Sequence, residues 1–272
     1  MASNIEIIHP AHGRRFRFVF FDFDGTLSLV REGWPNVMIP MMIDVLAPVA
    51  AGLPRERLEA MLRDDVEAST GRPTIDQMIR LAGHVAEFGG SPLDPKEYKA
   101  EYNRRLLAHI ARRREALAAG TVRPDEMLLA GAREMLDALA GRGLVLCCAS
   151  GTDEPYVREE ARLLDVARYF GTHVYGVRDD YEASSKAAIV ERILGAARMA
   201  GEELLVFGDG FVEIEIAKQA GGYAVGVASE EAAGGGSVNA WKRARLLAAG
   251  ADMIIPDFAE HEELVRVLFP IV

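Results

Sequence analysis

The chain has 272 residues, half of them apolar, and a formal net charge of −10. That much apolar material can bury a sizeable core in one large domain or two modest ones, which excludes a disordered or fibrous chain. The acidic balance argues against general affinity for nucleic-acid backbone or an anionic membrane, so a small anionic substrate would need a locally positive site.

The first seventeen residues carry Arg14, Arg15 and Arg17 but no apolar core of signal-peptide type, and no apolar run approaches a membrane span. A cytoplasmic protein with neither nucleic acid nor membrane as partner is expected. The first strong element is Phe18-Val19-Phe20-Phe21-Asp22-Phe23-Asp24-Gly25-Thr26-Leu27, an apolar run that ends in two acids and a glycine. Such a run fits a central strand covered on both faces. Its carboxyl end is where open α/β sheets place their ligands. Asp22 and Asp24 there are able to share one metal and one substrate, although for either acid alone a turn after a strand is the simpler account.

No convincing strand follows until Leu144. Leu58, Met61, Leu62 and Val66 recur at helical spacing, as do Ile75, Met78, Ile79 and Ala82. A longer amphipathic stretch runs from Lys96 to about Ala119, stops at Gly120, and carries Arg104, Arg105, Arg112, Arg113 and Arg114 as a solvated face. Pro124 is expected to open another helix ending near Gly141. Residues 29–128 therefore read as a separate helical module inserted into an α/β domain formed by residues 1–28 and 129–272. Inserted after the first strand, the module would sit over the sheet edge that carries Asp22 and Asp24.

Beyond it, Leu144–Ala149, His173–Val177, Leu204–Phe207, Tyr223–Ala228 and Met253–Ile255 read as strands, most of them separated by helix-length segments. The alternation predicts a Rossmann-like, mainly parallel sheet flanked by helices. Cys147 and Cys148, the only cysteines, are neighbours in one strand and point to opposite faces, as buried thiols rather than a disulfide. Ala232-Ala233-Gly234-Gly235-Gly236-Ser237 reads as a flexible surface loop.

Three further segments lie at strand ends or helix starts. Ser150-Gly151 offers a hydroxyl and a main-chain N–H to an anion, though Ser-Gly-Thr is also a common turn. Lys186 follows a serine N-cap and stands in the first turn of a helix, where its charge opposes the dipole unless an anion is near; a solvated lysine is the plain alternative. Gly208-Asp209-Gly210 ends a strand and opens a helix with Glu213 near its first turn. Asp209 beside Asp22 would suit Mg²⁺, and a glycine-framed turn is again the bland reading.

Taken in order, Asp22-Phe23-Asp24-Gly25-Thr26-Leu27, Ser150, Lys186 and Gly208-Asp209 resemble the four motifs of the haloacid dehalogenase (HAD) superfamily, over residues 17 to about 257. The helical insertion resembles that family's cap. The resemblance implies Asp22 as nucleophile and Asp24 as general acid and base. It implies Mg²⁺ held by Asp22, Asp209 and the Asp24 carbonyl, Glu213 in the outer shell, and phosphoryl oxygens bound by Ser150, the Gly151 N–H and Lys186. A carboxylate attacking an anionic phosphate needs the metal and the lysine to offset repulsion.

The chain departs from the pattern at Glu213, where a second Asp is frequent, and at Gly210, where a small hydroxylated residue is frequent. Within the superfamily, Asp24 argues for phosphoryl chemistry over dehalogenation. A helical module with only Lys96 and Lys99 makes a Schiff-base phosphonate hydrolase a weaker alternative, and a sugar phosphomutase stays open. From another class, a phospho-accepting switch or a scaffold protein is a further alternative. The expected activity is Mg²⁺-dependent hydrolysis of a small phosphorylated metabolite, a sugar phosphate foremost. Trp34, Thr70 and Arg72, with Arg31 and Glu32, are the candidates for substrate selection.

Overall fold

The computed structural model describes residues 3–178, 180 and 183–270. In chain order the elements are β1 (Glu6–Ile7), β2 (Phe18–Asp22), α1 (Pro35–Leu46), α2 (Arg55–Ala68), α3 (Thr74–Glu87), α4 (Pro95–Ala118), α5 (Ala132–Ala140), β3 (Val145–Asp153) and α6 (Glu154–Leu163). They continue with α7 (Ala167–Phe170), β4 (Val174–Val177), α8 (Lys186–Ala197), β5 (Leu204–Gly208), α9 (Phe211–Ala220), β6 (Tyr223–Val227), α10 (Ala240–Ala248), β7 (Met253–Ile255) and α11 (His261–Leu268). The chain divides into two compact units, one running to Glu32 and resuming at Arg114, the other formed by Gly33–Arg113.

The first unit is built on a seven-stranded sheet in the order β1-β7-β6-β5-β2-β3-β4. All pairings are parallel except that of β1 with β7. Every residue of β2, β5 and β6 is buried, which explains why those strands are continuous apolar runs instead of alternating ones. Across them Phe21 stacks on Phe207 with ring centroids 4.9 Å apart, and Phe258 meets both rings. Cys147 and Cys148 are both fully buried free thiols.

Four local expectations need correction. The two-residue β1 has too little pattern to be read from sequence. β3 does not stop at Ala149 but continues to Asp153, its register against β4 shifting between Ala149 and Asp153. The single helix expected from Pro124 is a 3₁₀ turn, Pro124–Met127, followed by extended chain and then α5. There Leu27 and Leu29 exchange main-chain hydrogen bonds with Leu129 and Met127. Gly131 takes a φ of +72°, and a Cβ on it would lie 2.0 Å from the Phe258 carbonyl oxygen. The chain has to leave the helix to make both contacts. Finally, the glycine loop is anchored: Gly234 accepts from the Ala130 N–H, and the Gly236 N–H donates to Asp257.

The second unit is helical. α1 packs against α2 and α3, and its buried Met38, Ile39, Met41, Met42 and Ile43 form so broad an apolar face that no single helical stripe marks it. On α4, Tyr98, Tyr102, Leu106 and Ile110 recur every fourth residue and are buried. Arg104 and Arg105 pair with Glu101, and Arg105 also pairs with Asp44. Arg114, where the chain re-enters the first unit, departs from the solvated face: it is 20% exposed and pairs with Glu159 at 2.6 Å.

Candidate active site

Asp22 is the last residue of β2, and its strand lies between β3 and β5. Asp22 stands in register with Ala149, and Phe21 with Phe207. The residues that follow on the neighbours, Ser150 and Gly208-Asp209, are thereby brought to one sheet edge. Asp24 follows in a tight turn in which Leu27 and Ser28 both donate main-chain hydrogen bonds to the Phe23 carbonyl. Gly25 turns the chain with a φ of +77°, and a Cβ there would come within 2.4 Å of Asp209 Oδ2. The turn can approach Asp209 this closely only because Gly25 has no side chain.

Lys186 opens α8, whose N-cap is Ser185; the Ser185 hydroxyl accepts from the Ala188 N–H at 3.2 Å. Its Nζ donates to Asp22 Oδ1 at 2.5 Å and also to Glu213 Oε1. The three side chains are buried, Glu213 completely. Burial raises the Asp22 carboxyl well above its ordinary range; the Lys186 charge opposes the rise, and Glu213 and Asp209 add to it. Burial likewise works against a charge on Lys186, but the Asp22 and Glu213 carboxylates outweigh it and raise its pKa, keeping it cationic. Glu213, in the first turn of α9, thus lies against Lys186, and its Oε2 is buried without a hydrogen-bond partner among the described residues.

Asp24 is divided between its two oxygens. Oδ2 accepts from the Ser150 hydroxyl at 2.8 Å and the Thr152 hydroxyl at 3.3 Å, while Oδ1 is buried and has no hydrogen-bond partner among the described residues. A carboxylate anchored through one oxygen and accepting no hydrogen bond at the other is suited to passing a proton. Nearby, Arg31 is committed to Glu160 by a bidentate pair at 2.9 and 2.8 Å, with its Nε 3.9 Å from Asp24 Oδ1. Arg31 is 5% exposed and Glu160 is fully buried. Burial raises the Glu160 carboxyl against the lowering effect of Arg31.

Asp209 follows β5. Its N–H donates to Thr26 Oγ1 at 3.0 Å, and its Oδ2 accepts from Lys242 Nζ at 2.8 Å. Lys242 also donates to Glu231 at 2.6 Å and to Ser229 at 3.1 Å. Burial raises the Glu231 carboxyl, with Lys242 opposing. Counted as ionised, the four acids Asp22, Asp209, Glu213 and Glu231 exceed the two ammonium groups they meet by two charges, an excess that agrees with the raised Asp22 and Glu231 carboxyls. That balance suits a divalent cation. Among the described residues no three His, Cys, Asp or Glu side chains surround one point. The donors that fit are the two carboxylates Asp22 and Asp209 with the Asp24 carbonyl, and Mg²⁺ is an ion that uses one or two carboxylates and fills the rest with water and phosphate oxygens.

Of the candidates for substrate selection, Trp34 caps α1, accepting from the Val37 and Met38 N–H groups. Thr70 donates its hydroxyl to the Val66 carbonyl at 3.2 Å, and Arg72 is exposed on the turn between α2 and α3. All three belong to the helical unit. Sequence reasoning missed Thr152, Glu160, Ser229, Glu231 and Lys242. Only Lys242 carried a local signal: like Lys186, it is a cation in the first turn of a helix, here behind the N-cap Asn239.

The haloacid dehalogenase-like hydrolase family model matches residues 16–221. No curated protein matches the chain. Among solved structures, a predicted phosphoglycolate phosphatase from Haemophilus somnus 129pt is 20% identical, with a TM-score of 0.58 over 92% of this chain and 98% of that one. A HAD family hydrolase from Deinococcus radiodurans R1, solved with bound phosphate and sodium, is 18% identical, with a TM-score of 0.55 over 95% and 100%. A β-phosphoglucomutase from Clostridium difficile is 11% identical, with a TM-score of 0.63 over 93% and 97%. At these identities the likeness is one of fold.

Proposed function

The chain belongs to the haloacid dehalogenase-like hydrolase family, and from that premise we propose that it is a Mg²⁺-dependent phosphatase of the cytoplasm acting on a small phosphorylated metabolite, a sugar phosphate foremost. The observation that carries the reading is the arrangement of the two aspartates: Asp22 held by Lys186 at 2.5 Å, and Asp24 anchored through one oxygen while the other accepts no hydrogen bond among the described residues and has only the more distant Arg31 charge beside it. In this reading the Asp22 oxygen not held by Lys186 attacks phosphorus in line, and the phosphoryl group passes to it as an aspartyl-phosphate. Asp24 protonates the departing alkoxide through Oδ1, then takes a proton from the water that hydrolyses the acyl-phosphate, releasing phosphate and restoring Asp22.

Lys186 neutralises charge on the transferring group, the Gly151 N–H supplies a donor to its oxygens, and the Ser150 hydroxyl supplies a second by turning from Asp24, which keeps the Thr152 hydroxyl. Asp22, Asp209 and the Asp24 carbonyl would hold Mg²⁺, which supplies charge neutralisation and alignment for two anions that otherwise repel. Glu213 acts chiefly by holding Lys186 and reaches the metal through water. Residues 29–128, read from the sequence as a cap module inserted into a core of residues 1–28 and 129–272, carry Trp34, Thr70 and Arg72, to which substrate selection is assigned.

The test is phosphate release from an aryl phosphate and a panel of phosphometabolites in the presence of Mg²⁺. Asp22→Asn should be inactive and take up no phosphoryl group. Asp24→Asn should lose about 10²–10⁴-fold in turnover yet accumulate a phosphoryl adduct, visible by mass spectrometry and sensitive to hydroxylamine. A wild-type protein inactive over the whole panel would remove the proposal.

A further inference from the structure

One buried cation at the sheet edge has no place in the chemistry above. Lys242 stands in the first turn of α10, its side chain 12% exposed. Its three ammonium donors meet three acceptors: Asp209 Oδ2 at 2.8 Å, Glu231 Oε1 at 2.6 Å and Ser229 Oγ at 3.1 Å. An ammonium has three donors and no more, so the group is saturated. Ser229 passes the connection on, donating to the Gly25 carbonyl at 2.9 Å. Gly25 itself lies against both anions, since a Cβ there would stand 2.4 Å from Asp209 Oδ2 and 3.0 Å from Glu231 Oε1. The loop that carries the two aspartates, the end of β5 and the start of α10 are thus joined through one nitrogen.

A lysine in the first turn opposes the helix dipole, and a buried one also loses its hydration. Both costs are met here by two carboxylates held within reach of each other. Without the cation, Asp209 and Glu231 would repel, and either one would be free to swing away or to offer both oxygens to an ion. With it, Asp209 Oδ2 is occupied, Glu231 is engaged, and among the described residues Asp209 Oδ1 is left with only the Thr26 hydroxyl at 3.4 Å.

We propose that Lys242 is a positioning residue for the divalent cation: by engaging Asp209 Oδ2 and Glu231, it presents Asp209 to the ion through Oδ1 alone. This rests on the reading of Asp22 and Asp209 as the cation's ligands. The division of labour follows: Lys186 orients Asp22 from one side, and Lys242 orients Asp209 from the other.

The experiment is a titration of the full-length protein with Mn²⁺ in the absence of substrate, following the free-ion signal by electron paramagnetic resonance. The wild type should bind one Mn²⁺, and Asp209→Asn should lose that binding. Lys242→Met should weaken the affinity about tenfold, within the range found when a partner orienting a metal ligand is removed. Lys242→Arg should fall between the two, because it restores the charge while its planar fork matches three converging acceptors poorly. The Mg²⁺ concentration for half-maximal phosphate release should rise by a similar factor in Lys242→Met. Should Lys242→Met fail to fold, Lys242→Arg alone decides the matter. Wild-type or tighter Mn²⁺ affinity in the folded Lys242 variants overturns the role of Lys242 and leaves the phosphatase reading standing. A wild type that binds no Mn²⁺ overturns both this role and the metal reading.

Discussion

Lys186 shows how much of the site rests on single residues. It is buried between Asp22 and Glu213, and both carboxylates depend on it for compensation. Replacing it with Met removes the cation from two buried acids, and breaking a buried pair on one side costs about 3–5 kcal/mol. Urea unfolding of Lys186→Met should show a loss of that size. The double variant with Glu213→Gln should recover part of it; no recovery would mean that the lysine's effect is packing rather than charge. Lys186, like Asp22, Asp24 and Asp209, was legible in the sequence because each sits at the end of a strongly patterned strand or the start of a helix. Glu160 and Glu231 were not. Their burial follows from cations outside any local pattern, Arg31 from 129 residues away for Glu160 and Lys242 from the start of the next helix, eleven residues on, for Glu231.

At the scale of elements, apolar runs made the buried strands readable, and local pattern failed where a long-range contact overrode it. The stretch after Pro124 is such a place. Gly131 is held at φ +72° against the Phe258 carbonyl, so Gly131→Ala should destabilise the protein by more than about 2 kcal/mol, combining a strained backbone with a steric clash; a melting temperature equal to wild type would show that the turn can relax. α4 gives the contrasting surface case. Glu101 is held at about 2 by hydrogen bonds from Arg104 and then Arg105. A lowered carboxyl contributes stability that is present above its ordinary value near 4.5 and is lost as the pH falls through about 2. Solvent keeps the contribution below about 1 kcal/mol. The urea midpoint of Glu101→Gln should therefore lie slightly below wild type near neutrality, with the gap narrowing by about pH 3; a gap independent of pH would assign the effect to helix propensity instead.

For the whole molecule, the relevant quantity is the charge assembled at one sheet edge from β2, β5, α9 and the chain before α10. The excess of acids over cations there should make the folded state respond to divalent ions. Mg²⁺ at a hundred times its dissociation constant adds about 2.7 kcal/mol, which for a chain of this size raises the melting temperature by roughly 5–10 °C. Calorimetry with Mg²⁺ and with a chelator should show that rise in the wild type and none in Asp209→Asn. An equal rise in both would place the ion elsewhere. No helix among the described residues is long and apolar enough to cross a membrane.

By itself the sequence determined the mainly parallel α/β class, the order of the strands along the chain, and the short list of acids, hydroxyl and lysine at element ends. These are local properties: a buried strand is apolar over its own length, and a helix start shows in its own cap. The sheet order, which sets β2 between β3 and β5, was decided only in three dimensions, as were the partners of Asp22, Asp24 and Asp209. The aspartates read as a pair at the end of one strand became separate groups, one held by Lys186 and the other by Ser150 and Thr152. Pairing of that kind depends on distance across the fold, which side-chain burial enforces and which no spacing along the chain records.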